Sequence, residues 1–241
     1  MAHFAPQGHG NQRRYAVRGR EVLLFLSVCI FISGCAPKLP KATILGVADR
    51  SFDLSAESSC PAIKSDYGSW LSIDGNERST VHGGIDIVEK KGEPVIAAAP
   101  GLVVAAGHQR QGGNEVAIYH GQDTHGNHVY SASFHLMKYT VKIGQRVGRG
   151  DVIGLVGDTG SNMPASGTAH LHFTTFLTTD GKHHVNDDGS LYVSWHTRVN
   201  PSHFAIIKEG TDNVFRKYDA DADYADRHGV FSGFTYPVIC R

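Results

Sequence analysis

The sequence has no excess of charge of either sign, which limits the partners that it can attract electrostatically. Its 241 residues contain 23 Lys and Arg against 23 Asp and Glu, so the formal net charge is zero. A protein that binds nucleic acid needs a basic surface to neutralise phosphates. The balanced charge therefore argues against a nucleic-acid partner, and 41% hydrophobic residues indicate an ordinary globular protein.

Helical periodicity is also scarce. Between residues 61 and 207, no window keeps apolar residues at the i, i+3, i+4 and i+7 positions of an amphipathic helix. Short apolar runs at 94–99, 116–119, 129–134, 152–156 and 170–176 are instead separated by turn residues, and 28 residues are glycine. The sequence therefore predicts an all-β fold of mostly antiparallel strands.

The most apolar stretch of the chain is too short to cross a membrane. Residues 22–32 are apolar except for Ser27, and they follow four arginines within residues 13–20. These eleven residues would span about 16 Å as a helix, against about 30 Å for the apolar core of a bilayer. A basic stretch followed by a short apolar stretch and small residues is typical of a secretory signal peptide.

The residues after this stretch, Ile32-Ser33-Gly34-Cys35, resemble the lipobox of bacterial lipoproteins. The resemblance implies cleavage after residue 34 and attachment of lipid to Cys35. Ala36 then favours the outer membrane if the cell is Gram-negative. We therefore expect a protein of the cell envelope, anchored by lipid at the periplasmic face of the outer membrane. A plain signal peptide or a short anchor is the alternative.

Cysteine is rare, with four in the chain, and Cys29 and Cys35 belong to the predicted export signal. An oxidising envelope favours a disulfide between the remaining two, Cys60 and Cys240, and two unrelated thiols are the alternative. The predicted organisation is a signal peptide at 1–34, a lipidated cysteine and tether at 35–60, a β domain at 61–207 and a C-terminal extension at 208–241.

Histidine is abundant, with fifteen residues, and two clusters have a spacing that suits metal binding. His170 and His172 lie two positions apart on a predicted strand, so their side chains share one face. His82 and Asp86 share a face as well if their segment is extended. Two imidazoles and one carboxylate are typical zinc ligands that favour ionisation of a water near neutral pH. Both clusters in one β domain predict a metal site, although the spacing does not say which histidines bind.

Three blocks along the chain resemble the signature of the LytM or lysostaphin-type zinc metallopeptidases. They are His82-Gly-Gly-Ile-Asp86, Phe134-His135-Leu136 and His170-Leu-His172-Phe173, within a resemblance that covers residues 80–177. It implies one zinc ion held by His82, Asp86 and His172, with His135 and His170 as catalytic histidines that do not bind the metal. Which of these two acts as the general base stays open.

The same resemblance implies an all-β domain around a narrow groove, with peptidoglycan as the substrate. The expected reaction is hydrolysis of peptide cross-links, at D,D-bonds of the stem peptides in a Gram-negative envelope. A non-catalytic LytM-type activator of a cell-wall amidase is the alternative, but such domains typically lose ligands, whereas all five matched residues are present here. A biotinyl-type carrier would need a lysine at the hairpin tip, and residues 144–157 contain none.

Two further features bear on the groove and on the other histidines. Trp70 stands where the family often has an arginine, and this departure concerns groove shape and substrate choice rather than the metal ligands. The histidines of predicted turns are expected at the surface: His120, His125, His128, His183 and His184.

Overall fold

The structure is a computed structural model that describes residues 54–192, 198–227 and 229–241. The predicted signal peptide, the lipidation site Cys35 and the tether up to residue 53 lie outside the described residues, as do His196 and His228. Within the described part of the chain, no helix has the length and apolar character needed to cross a membrane.

A large antiparallel sheet forms the centre of the fold. Its path runs through β2 (Ile63–Ser65), β3 (Ile85–Val88), β11 (His170–Thr178), β7 (His128–Leu136), β6 (Gly113–Gln122), β5 (Gly101–Gln109) and β9 (Arg146–Val147), with β14 (Arg198–Val199) paired to β11. All of these pairings are antiparallel. The described residues contain no α-helix and only a short 3₁₀ helix at Pro201–His203, so the prediction of an all-β antiparallel fold is confirmed.

Smaller sheets complete the architecture. One is three-stranded and antiparallel, in the order β4 (Pro94–Ile96), β10 (Val152–Leu155) and β8 (Lys138–Tyr139). The other two are two-stranded sheets. They pair β1 (Ser55–Ala56) with β15 (Val214–Phe215) and β12 (His184–Val185) with β13 (Leu191–Tyr192). Val95 and Ile153 of the three-stranded sheet share one core with Ile87 and Leu171 of the large sheet. Because each fully buried aliphatic side chain stabilises the fold by about 1.5–3 kcal/mol, this shared core holds the two sheets together.

Both ends of the described chain contribute to that core. Leu54, from the end of the predicted tether, is buried together with Phe215, Phe234 and Tyr236 from the predicted C-terminal extension. The Tyr236 hydroxyl donates a hydrogen bond to the carbonyl oxygen of Pro61 at 2.6 Å. Residues from the predicted tether and from the predicted C-terminal extension therefore pack against the β domain.

Cys60 and Cys240 are joined by a disulfide bond that closes a loop of 180 residues. A cross-link over so long a loop restricts the unfolded chain strongly and typically stabilises a protein by about 2–5 kcal/mol. We expect the double substitution Cys60→Ser and Cys240→Ser to lower the free energy of unfolding by that amount, measured by urea denaturation. The double variant should not respond to a reducing agent, whereas an unchanged denaturation midpoint would contradict a stabilising role of the bond.

His120 is buried, so the expectation that it lies at the surface is wrong. It is 3% exposed because β6 continues to Gln122, beyond the position expected for the turn. One ring nitrogen donates to the carbonyl oxygen of Pro100 at 2.9 Å and the other lies 2.8 Å from the Ser131 hydroxyl. Burial lowers the pKa of His120 to about 4, so the ring is neutral near pH 7. His125, His183 and His184 are exposed as predicted, and His128 is half-buried.

Candidate metal centre and active-site groove

All five residues that were predicted from the signature blocks line one groove of about 590 Å³. Asp86 lies on β3, His170 and His172 lie on β11, and His135 lies on β7, with His82 shortly before β3. In the register of the sheet, His172 is opposite Asp86 on one side and Phe134 on the other. Three neighbouring strands therefore bring together residues that are as far as 90 positions apart in the chain.

The alternation predicted for β11 places its side chains as expected. Leu171 and Phe173 are buried in the core, whereas His170 and His172 line the groove. Gly84 leaves space for the ring of His172, because a Cβ atom at this position would lie 2.9 Å from His172 Cε1 and closer still to the carbonyl oxygen of Phe173. Gly84 is therefore a packing requirement of the site.

Three possible metal-ligand atoms converge in this groove. Asp86 Oδ1 lies 3.0 Å from His82 Nε2 and 2.8 Å from His172 Nδ1, and the two ring nitrogens are 2.9 Å apart. Two imidazole nitrogens and one carboxylate oxygen are a common donor set for a catalytic zinc ion. His82, Asp86 and His172 are thus a possible metal-binding triad, and their chemistry fits zinc.

The surroundings prepare these side chains for a cation. His82 Nδ1 lies 2.8 Å from the carbonyl oxygen of Asp66, a contact that holds the ring with Nε2 directed at the triad. Burial alone would raise the pKa of Asp86, but hydrogen bonds with the rings of His172 and His82 hold that pKa well below its usual value. Asp86 is therefore a carboxylate, the form that binds metal. Burial lowers the pKa of His172 to about 3, so its ring is uncharged near pH 7.

His135 and His170 form a second pair beside the triad. Their ring centroids are 4.7 Å apart, and His170 Nε2 lies 3.8 Å from Asp86 Oδ1. Each ring donates its Nδ1–H to a backbone carbonyl, that of Thr159 at 2.8 Å for His135 and that of Thr168 at 3.0 Å for His170. These bonds fix the tautomers and leave Nε2 as the basic nitrogen of each ring. Burial lowers the pKa of His135 to about 4, so this ring can accept a proton near pH 7.

The backbone of His135 adopts a conformation that residues other than glycine rarely use. Its φ angle is +60°, and its N–H donates to the carbonyl oxygen of Gly112 at 2.8 Å. Such a conformation costs about 1–3 kcal/mol and persists where the surrounding structure enforces it, often at a functional site. The strain thus marks His135 as a residue whose placement matters.

The sequence analysis missed two charged residues, Arg78 at the groove and Glu115 behind the residues that line it. Arg78 donates from Nη2 to Asp86 Oδ2 at 2.7 Å. Glu115 is fully buried on β6, where its carboxyl group accepts hydrogen bonds from the Gln109 side chain and the backbone N–H of Leu191, both of which line the groove. Neither residue belongs to a motif, and their partners become visible only in the folded chain.

Glu115 should make the stability of the protein depend on pH. Burial raises its pKa to about 7 against hydrogen bonds that lower it, so the folded state holds the proton more tightly than the unfolded state. Its contribution to stability is therefore complete below about pH 4.5 and is lost as the pH rises through about 7. Relative to a Glu115→Gln variant, we expect wild type to lose roughly 2–3 kcal/mol of unfolding free energy between pH 5 and pH 8. Urea denaturation of both proteins across this range measures the difference, which would stay constant if Glu115 did not titrate.

Comparisons with known proteins agree with this geometry. Residues 80–186 match the sequence profile of Peptidase family M23. The glycyl-glycine endopeptidase ALE-1 of Staphylococcus capitis is 37% identical over 110 residues, which cover 44% of this chain and 27% of that protein. The peptidoglycan DD-endopeptidase ShyA of Vibrio cholerae is 38% identical over 97 residues, which cover 40% of this chain and 20% of that protein. The chain thus spans about a quarter or less of the length of these two relatives.

A solution structure of lysostaphin superposes with a TM-score of 0.47 at 26% identity, over 71% of this chain and 62% of that one. The profile match contains His82, Asp86, His135, His170 and His172, the same residues that line the groove. Residues 80–186, less than half of the chain, are therefore similar to Peptidase family M23, and lysostaphin is among the relatives.

Proposed function

We propose that the protein is a zinc-dependent endopeptidase that hydrolyses peptide cross-links of peptidoglycan. The observation that carries this proposal is the meeting of His82, Asp86 and His172 within 3.0 Å, with His135 and His170 beside them in one groove. The names of the relatives support the substrate class, since ALE-1 is a glycyl-glycine endopeptidase and ShyA is a peptidoglycan DD-endopeptidase.

In this proposal His82 Nε2, Asp86 Oδ1 and His172 Nδ1 hold the metal ion. Bound zinc supplies Lewis-acid activation of a water molecule and of the scissile carbonyl group. The rings of His135 and His170 orient the water, accept a proton at Nε2 and deliver it to the nitrogen of the departing amine. Because both Nδ1–H groups are held by backbone carbonyls, neither ring has to reorient during proton transfer.

The bond that is cut is a further part of the proposal. The names of ALE-1 and ShyA refer to different bonds, so the likeness of this chain to both does not single out one bond. We propose D,D-bonds of the stem peptides, because the predicted lipoprotein signal fits an envelope in which such bonds form the cross-links. Purified peptidoglycans with D,D-cross-links or with glycine bridges, offered in parallel, would show which type is hydrolysed.

Metal dependence is the experiment that separates hydrolysis from the alternative, an activator of a cell-wall amidase. Solubilisation of labelled peptidoglycan should stop when a chelator removes the metal and should return when zinc is added in slight excess. If the zinc-loaded protein releases no label but accelerates a purified amidase, the proposal of an endopeptidase is wrong.

We also propose that the protein is attached to the membrane through lipid on Cys35, at the periplasmic face of the outer membrane. The support is the lipobox-like sequence at residues 32–35. Mass spectrometry of the amino-terminal peptide should detect a diacylglyceryl group on Cys35. A Cys35→Ala variant should lose this group and leave the membrane fraction, and equal membrane retention of both proteins would contradict the anchor.

A further inference from the structure

We infer that Arg78 is a positioning residue for the metal centre: its guanidinium group holds the Asp86 carboxylate so that Oδ1 faces the metal ion. The inference rests on the proposed zinc site and adds a residue that is not itself a metal ligand. The two oxygens of Asp86 have separate partners. Oδ1 faces the ring nitrogens of His82 and His172, whereas Oδ2 accepts the hydrogen bond from Arg78 Nη2 at 2.7 Å.

The pair between Arg78 and Asp86 is well shielded from water. The side chain of Asp86 is 3% exposed and that of Arg78 is 24% exposed. A charge-assisted hydrogen bond in such surroundings is stronger and more directional than an ion pair at the surface. The contact can therefore fix the orientation of the carboxylate rather than merely add to the local charge.

Arg78 is itself held in place before any ligand binds. Its backbone N–H donates to the carbonyl oxygen of Trp70 at 2.8 Å, and its Nε donates to the carbonyl oxygen of Leu71 at 3.1 Å. Its Nη2 also lies 3.4 Å from the hydroxyl of Ser65, which is opposite Asp86 in the register of β2 and β3. These contacts leave the guanidinium group little freedom to turn away from Asp86.

The segment from Ser65 to His82 thus serves two metal ligands at once. It presents the carbonyl oxygen of Asp66 to His82 Nδ1, and it presents the guanidinium group of Arg78 to Asp86 Oδ2. Groups that orient metal ligands in this way commonly change metal affinity or activity by about 10–100-fold when they are removed. If Arg78 only joined residues 70–78 to one another, its replacement would instead change the stability of the fold and leave the metal affinity unchanged.

The test compares zinc affinity in the full chain of wild type, Arg78→Gln and Arg78→Lys. Lys91→Gln is the matched control, because it removes the cation of an aspartate ion pair, with Asp158, outside the groove. Competition with a chromophoric chelator gives the zinc dissociation constant, and the visible absorption of the cobalt-substituted proteins reports the ligand arrangement. Urea denaturation of the metal-free proteins shows which of them are folded under the conditions of the assay.

We expect Arg78→Gln to weaken zinc binding by about 10–100-fold and to alter the cobalt spectrum, with a smaller loss in Arg78→Lys and none in Lys91→Gln. Wild-type affinity and spectrum in Arg78→Gln would overturn the inference. The Arg78→Lys variant keeps the positive charge but loses the planar guanidinium group. If Arg78→Gln does not fold, wild-type zinc affinity and cobalt spectrum in Arg78→Lys would overturn the inference equally. None of these measurements uses peptidoglycan, so they decide the role of Arg78 even if the protein proves not to be an endopeptidase.

Discussion

Replacement of His172 by alanine is expected to remove both metal binding and hydrolysis. The variant loses one of three converging ligand atoms and leaves the buried Asp86 carboxylate without a hydrogen-bonding partner at 2.8 Å. We expect the zinc content to fall to background and kcat/KM on cross-linked peptidoglycan to drop by at least about 10³-fold, or roughly 4 kcal/mol of transition-state stabilisation.

His125→Ala is the matched control for this substitution, because His125 is an exposed histidine that does not line the groove. Metal analysis of the purified proteins and initial rates on the same peptidoglycan preparation give the comparison. A His172→Ala protein that retains one zinc ion per chain, or that cleaves at the rate of the control, would contradict the assignment of His172 as a ligand.

Replacement of His135 or His170 by alanine is expected to separate catalysis from metal binding. Neither ring belongs to the triad, yet both place a basic Nε2 at the groove while carbonyl groups hold their other nitrogens. Loss of a positioned proton-transfer group typically costs about 10²–10⁴-fold in rate. We expect kcat to fall by such a factor in each variant while the zinc content stays at the wild-type level.

The double variant adds a check on whether the two histidines work together. Groups that act as one catalytic unit show strongly non-additive losses, so the double variant should be little slower than the slower single variant. The measurement is kcat and KM for the four proteins, with zinc content determined on the same samples. A single variant that keeps wild-type kcat would exclude that histidine from proton transfer.

Much of the fold could be predicted because its signals are local. The alternation in residues 170–173 determines which side chains of β11 enter the core, and the structure places Leu171 and Phe173 there as expected. The candidate ligands could likewise be recognised from three short blocks in order. Their convergence depends on the register of β3, β11 and β7, which places His172 opposite both Asp86 and Phe134.

The rest could not be predicted because it depends on contacts between distant parts of the chain. The Glu115 carboxyl group accepts a hydrogen bond from the backbone N–H of Leu191, 76 positions away, and the sequence pattern of β6 does not predict this partner. His120 is buried because β6 is longer than the apolar run that predicted it, and Arg149 pairs with Asp226 across 77 positions. In the same way, the aromatic side chains of Phe234 and Tyr236 join the core only because the chain returns to it.

The most direct test of the proposed function is mass spectrometry of purified, cross-linked muropeptide dimers after incubation with the protein. The zinc-loaded wild type should convert the dimers into monomers with the gain of one water per bond, and neither the chelated protein nor His172→Ala should do so. The fragment masses would identify the hydrolysed bond. Dimers that remain intact with a folded, zinc-loaded wild type would contradict the assignment of this groove as an endopeptidase site.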